Sequence, residues 1–218
     1  MVDAVNPAQQ LADEEFAPNL RPLVPPALKR AYATVEHVID EQPWLATPSA
    51  RYGRGDLVRL ASEYEFYKLI QTGALPFEPS WEPYSRPTGK HLVMRTKRAL
   101  ITINQVESPS TMPRKAVFRN TFGLPNTSFL FEDWNREIEE RADRKHLLLV
   151  HGYQELTFSN LAMPNVETKQ IAWKSANLLD LPHQVTEPAK DEGPTDSPDP
   201  EAIENIIRMI NDNDLGNE

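Results

Sequence analysis

The stretch HLVMRTKRALITINQV, residues 91–106, decides the fold. It is rich in β-branched residues, and Ile101 and Ile103 alternate with Thr102 and Asn104. Two strand segments are therefore expected, at 91–96 and 99–106. Lys97-Arg98 between them lacks the Asn-Gly or Asp-Gly that a two-residue turn favours, so a hairpin and one long bent strand both fit.

Upstream the period is helical. Pro25-Pro26 can open a helix, and Leu28, Ala31, Tyr32, Val35 and Val38 follow at helical spacing until Pro43, which predicts a helix over 27–41. A second helix is predicted over 57–72, with Asp56 as N-cap, Leu57, Leu60, Ala61, Tyr64 and Tyr67 on one face and Gly73 as the stop. Val58, Phe66, Leu69 and Ile70 widen its apolar surface beyond one stripe, so it belongs deep in the core.

Downstream, short strands are expected at 115–119 and 128–131, then a solvated helix at 133–144 carrying Glu137/Arg141 and Glu140/Arg144 pairs. His146 to Val150 reads as a buried strand and His151-Gly152 as a turn. Leu156 and Phe158, alternating with Thr157 and Ser159, predict another strand to about Met163. The expected class is α+β: two N-terminal helices, a mainly antiparallel sheet and a separate C-terminal amphipathic helix.

The ends read differently. Residues 1–25 are expected to be a disordered acidic start, 26–184 a single domain and 185–199 a disordered linker rich in proline and acid. In 200–218, Ile203, Ile206, Ile207 and Ile210 recur at i, i+3, i+4, i+7 behind Asp199-Pro200, which predicts a helix that docks in a groove of a partner or of its own domain.

The 218 residues include no cysteine, which excludes disulfides, thiolate nucleophiles and Cys-ligated metals and suits a reducing compartment. The start has neither a basic n-region nor an apolar h-region, and no apolar run approaches membrane length. A cytoplasmic protein with no membrane partner is expected. The net charge of −9 hides a polarity: residues 86–119 hold eight basic side chains against Glu107 alone, whereas 187–218 hold ten acids against Lys190 and Arg208.

The basic segment supplies the candidate site. Arg95, Lys97, Arg98, Arg114, Lys115 and Arg119 are expected to form an anion-binding face, with Tyr84, Phe118 or Phe122 available for stacking. The plainer alternative pairs these cations with the acids of 132–143 or of the tail. His151, at the end of an apolar strand, is a weak catalytic candidate that Glu155 or Tyr153 could orient; a histidine capping a turn explains it as well. HExxH, GxSxG and GxGxxG are all missing, and neither a metal nor a cofactor is expected.

PRKAVFRN (113–120), NTSFLF (126–131) and HLLLVHG (146–152) together resemble a pattern in a group of bacterial proteins, in which these stretches occur in the same order. The resemblance implies a bacterial or phage origin and carries no activity with it. The expected function is non-catalytic binding, as a regulatory or adaptor protein engaging an anionic partner through the basic face and a partner groove through the C-terminal helix. A protein partner comes first and a nucleic acid second; a small-molecule substrate is not expected. The alternative is a metal-dependent nuclease, for which Glu63, Glu65, Glu107, Glu132, Asp133 and Glu155 are the candidate carboxylates, with Lys90 or Lys97 beside the phosphate.

Overall fold

Asn6 and Pro7 begin the first helix in the way such a pair should: the Asn6 side chain accepts the Ala8 N–H, and Pro7 sits where a missing backbone donor costs nothing. This helix, α1 (Pro7–Glu15), is the first element of a computed structural model that describes residues 6–84, 89–129 and 144–182 together with Glu204. The acidic start is thus not structureless from residue 7 onward. Leu11, Ala12 and Phe16 are wholly buried, and the Phe16 ring meets Phe77 edge-on at 5.2 Å. Burying such side chains contributes about 1.5–3 kcal/mol each, enough to order a segment that its charge made look solvated.

Two longer helices follow, α2 (Val24–Glu41) and α3 (Arg54–Gln71), close to the predicted spans. The second begins one turn's fraction early, so Asp56 lies in its first turn instead of capping it, and Gly73 ends it with φ 75°. Ala31, Tyr32 and Val35 of α2 pack on Val58 and Ala61 of α3. Three helices, not two, therefore precede the sheet.

The sheet has six strands in chain order: β1 (Glu78–Pro83), β2 (Lys90–Arg95), β3 (Ala99–Val106), β4 (Lys145–Gly152), β5 (Ser159–Asn165) and β6 (Gln170–Lys174). β2 and β3 form an antiparallel hairpin, which settles the reading of Lys97-Arg98. The turn is closed by Thr96, whose N–H donates to the Ala99 carbonyl at 2.9 Å and whose hydroxyl accepts the Ala99 N–H at 3.0 Å. No left-handed residue is needed there, so no Asn-Gly is either.

β3 and β4 are parallel, paired from Ala99↔Lys145 to Val106↔Gly152; every other neighbouring pair is antiparallel. A parallel pair needs a crossover, supplied by α4 (Val117–Phe129). The strands expected at 115–119 and 128–131 are accordingly replaced by helix through Phe129. Asn126 explains why this segment stays put. Its side chain donates to the carbonyls of His146 and Pro164 at 2.9 Å each and accepts the His146 N–H at 2.8 Å, tying α4 to β4 and β5.

With α4 on one face and the first three helices on the other, β4 is buried throughout. Leu147 and Leu149 join the main core, and Leu148 and Val150 pack with Val106, Phe158 and Ala162 in a separate cluster. That is why HLLLV reads as an unbroken apolar run. The helix expected at 133–144, the linker 185–199 and the amphipathic helix 200–218 lie outside the described residues, Arg144 and a helical Glu204 excepted.

Candidate functional site

β2 and β3 pair only across Val93↔Thr102, Met94↔Ile101 and Arg95↔Leu100, although β3 runs on to Val106. Beyond Val93 the two strands part, and a side chain of α3 takes over the freed backbone donor: the Leu92 N–H donates to Glu63 Oε1 at 3.4 Å. Glu63 is 2% exposed, and its other oxygen accepts from Arg59 Nη1 at 3.0 Å. Burial pushes its carboxyl up to about 7 against the opposing pull of Arg59, the Leu92 N–H and Arg119. Burial prevails on the enclosed acid; on Arg59, whose side chain is 27% exposed, pairing prevails and its protonated form is favoured.

Above this split lies a cavity of about 580 Å³, at the carboxyl ends of the parallel strands β3 and β4 and the first turn of α3. Ligands of sheets with parallel strands bind at such ends, where strand order or direction changes. Arg59, Arg114 and Arg119 line it, against Asp56 and Glu107.

Arg119 is the best-held of the three. Its Nε donates to Asn104 Oδ1 at 2.8 Å, its Nη1 donates to the Arg114 carbonyl at 2.6 Å, and the guanidinium lies 4.8 Å from the Phe118 ring centroid. Among the described residues it has no carboxylate within ion-pair distance. Burial and the neighbouring Arg59 both disfavour its charge, only partly relieved by Tyr84 and Glu63.

Aromatic rings line the adjacent face of the sheet. Tyr84 stacks on His91 at 5.0 Å, His91 on Phe118 at 3.9 Å, Phe118 meets Phe122 at 5.7 Å and Phe122 meets His146 at 5.5 Å. Burial, with Arg119 nearby, lowers His91 to about 4 and His146 to about 3. His146 is fully buried and bonds Thr102 Oγ1 through Nε2 at 2.9 Å.

His151 is 1% exposed and forms part of the cavity wall. Its partner is neither Glu155 nor Tyr153 but Tyr32 of α2, 2.8 Å from Nδ1. The Tyr32 hydroxyl donates to the Gly152 carbonyl, so its single proton is committed and Nδ1–H must donate to the Tyr32 oxygen. Burial lowers His151 to about 3 and keeps the ring neutral. Gly152 beside it is required: a Cβ there would stand 2.0 Å from the Glu155 carbonyl oxygen. The chain folds back on this glycine, leaving the Glu155 side chain exposed.

The six sequence-predicted cations divide between the two ends of the sheet. Arg95, Lys97 and Arg98 sit at the β2–β3 hairpin, where Arg95 pairs with Glu82 and Arg98 with Glu14 at 2.5 Å, its backbone N–H also donating to Glu15. Arg114 and Arg119 line the cavity at the other end, and Lys115 is exposed next to them. With about 3.4 Å per residue, the length of β3 holds the groups some 20 Å apart, too far for one patch. Tyr84 was expected beside the cations as a stacking ring and Glu63 was considered only as a nuclease carboxylate, whereas Arg59 was not in the expected site. All three reach it from 30 to 60 residues away, and no motif joined them to it.

The carboxylates considered for a nuclease are similarly scattered. Glu65 bonds Arg30 at 2.8 Å, Glu107 borders the cavity, and Glu132 and Asp133 lie outside the described residues. Among the described residues no group of three His, Cys, Asp or Glu side chains is placed to hold a metal ion. Nor is any described helix long and apolar enough to cross a membrane. Compared with protein-family models, curated proteins and solved structures, the chain matches none.

Proposed function

We propose that the chain is a non-catalytic binding protein whose recognition site is the cavity at the carboxyl ends of β3 and β4, seating an anionic group, phosphate or carboxylate, presented by its partner. The observation that carries this reading is Arg119: a half-buried guanidinium fixed by neutral acceptors and opening on a cavity that also holds Arg59 and Arg114. A desolvated cation without a counter-ion gains more from an arriving anion than one already paired. The amphipathic stripe Ile203, Ile206, Ile207 and Ile210 enters this reading, on its spacing alone, as a second docking element.

The test is a titration of the full chain with inorganic phosphate, followed by amide and guanidinium chemical shifts. Shifts at Gly55, Arg59, Asn104, Gln105 and Arg119, weakening as salt is raised, are expected. Shifts confined to Thr96–Ala99, or none at all, would refute the assignment.

A further inference from the structure

The cavity is far larger than the anion it would seat. At roughly 30 Å³ per water, 580 Å³ holds on the order of 20 waters, and a phosphate group fills a small part of that. The surface around the mouth indicates what fills the rest. Of the five large hydrophobic residues exposed among the described residues, two border this cavity: Tyr52, 87% exposed, and Tyr153, 39% exposed. They come from separate elements, the turn before α3 and the turn after β4, and converge at the first turn of α3. A Cβ on Gly55 would touch the Tyr153 ring at 3.7 Å. Exposed rings at the mouth of a cationic cavity suit a flat aromatic group, since every base has a face to stack.

We infer that the ligand is a nucleoside phosphate, its base against Tyr153 and Tyr52 and its phosphate against Arg59 and Arg119. This rests on the anion site proposed above. Rim and cations are offset along α3, which leaves room for a sugar between base and phosphate: Arg59 follows Gly55 by four residues, about 6 Å further along the helix on the same side. Asp56 and Thr111 also line the cavity and can accept from or donate to sugar hydroxyls. The net charge of −9 opposes a long polyanionic strand and favours a mononucleotide.

The experiment compares three probes on the full chain: inorganic phosphate, adenosine 5′-monophosphate and a deoxytetranucleotide. The mononucleotide is expected to bind at least tenfold tighter than phosphate. Tyr153→Ala should abolish that advantage while leaving phosphate affinity unchanged, and Tyr153→Phe should retain it. Tyr52→Ala, at a still more exposed position, provides a second variant without risk to folding. If phosphate binds but the mononucleotide binds no tighter, or if neither tyrosine matters, the inference fails and the anion site stands. A tetranucleotide more than tenfold tighter than the mononucleotide overturns it in favour of a strand. Should none of the three bind, the anion site fails as well.

Discussion

The two ends of the β-sheet carry similar sets of cations and treat them in opposite ways. At the hairpin end Arg95 and Arg98 are matched by Glu82, Glu14 and Glu15, so the charge is spent on holding α1 and β1 to the sheet. At the other end Arg119 is matched by an amide and a carbonyl, and the one buried acid in reach, Glu63, is pushed toward its neutral form by burial. Charge density in the sequence does not separate these cases. What separates them is whether a carboxylate from another element arrives at the same place.

The sharpest way to break this contrast is to loosen α4, which positions Arg119, and compare the cost with a change at the hairpin. Asn126→Ala removes three buried hydrogen bonds and orphans a backbone N–H and two carbonyls. A loss of roughly 3–5 kcal/mol is expected in urea unfolding. Arg98→Ala, at a partly exposed ion pair, should cost no more than about 1 kcal/mol. Equal costs would mean that α4 is not held as described.

A second contrast lies in pH. His91, His146 and His151 are held neutral in the fold, at about 4, 3 and 3, so each takes up a proton on unfolding below its ordinary value of 6.5. Their contribution is therefore full above pH 6.5 and is lost as pH falls toward the folded values. Glu63 acts in the other direction. Held at about 7 against an ordinary 4.5, it releases a proton on unfolding in that window, and its contribution is largest below 4.5 and lost as pH rises through 7. Between pH 5 and 6 unfolding should take up about two protons net, a slope near 2.7 kcal/mol per pH unit at about 1.4 kcal/mol per proton. Glu63→Gln should steepen it toward three protons, measured as stability in urea at stepped pH. An unchanged slope would place Glu63 in its ordinary range.

Much of this fold was legible in the sequence and part of it was not, for definable reasons. The strands around 91–106 and 146–150 stand out because β-branched density with period-two alternation and an unbroken apolar run are strand signals, although β3 proves buried on both faces, Thr102 and Asn104 included. α4 does not stand out. Val117–Phe129 contains Pro125, a glycine, two asparagines and two threonines, all weak in helix interiors, and it is helical because Asn126, Phe118 and Phe122 find partners on the sheet. β1, with prolines at 79 and 83, was not read as a strand at all, because proline cannot donate to a ladder and is tolerated only on an edge such as this one. At the site, Arg114 and Arg119 were visible in the basic run and Glu63 only as a nuclease carboxylate, whereas Arg59 was concealed by the ordinary look of an Arg–Glu pair one turn apart on a helix.

A smaller effect sharpens the hairpin side. Arg95→Ala and Lys97→Ala should each leave stability within about 1 kcal/mol and anion affinity unchanged, by thermal melting and phosphate titration. A large loss of affinity from either would return the anion site to the hairpin.

The most direct test sets one cation from each end side by side. Arg119→Gln retains a donor for Asn104 while removing the charge and the Nη1 bond to the Arg114 carbonyl, and Arg98→Gln removes the charge and the Nη1 bond to Glu14 at the hairpin. The dissociation constants of both variants for inorganic phosphate are measured against that of the unaltered chain. Arg119→Gln is expected to weaken binding at least tenfold and Arg98→Gln less than twofold. Equal affinity in all three proteins, or the larger loss in Arg98→Gln, would contradict the account.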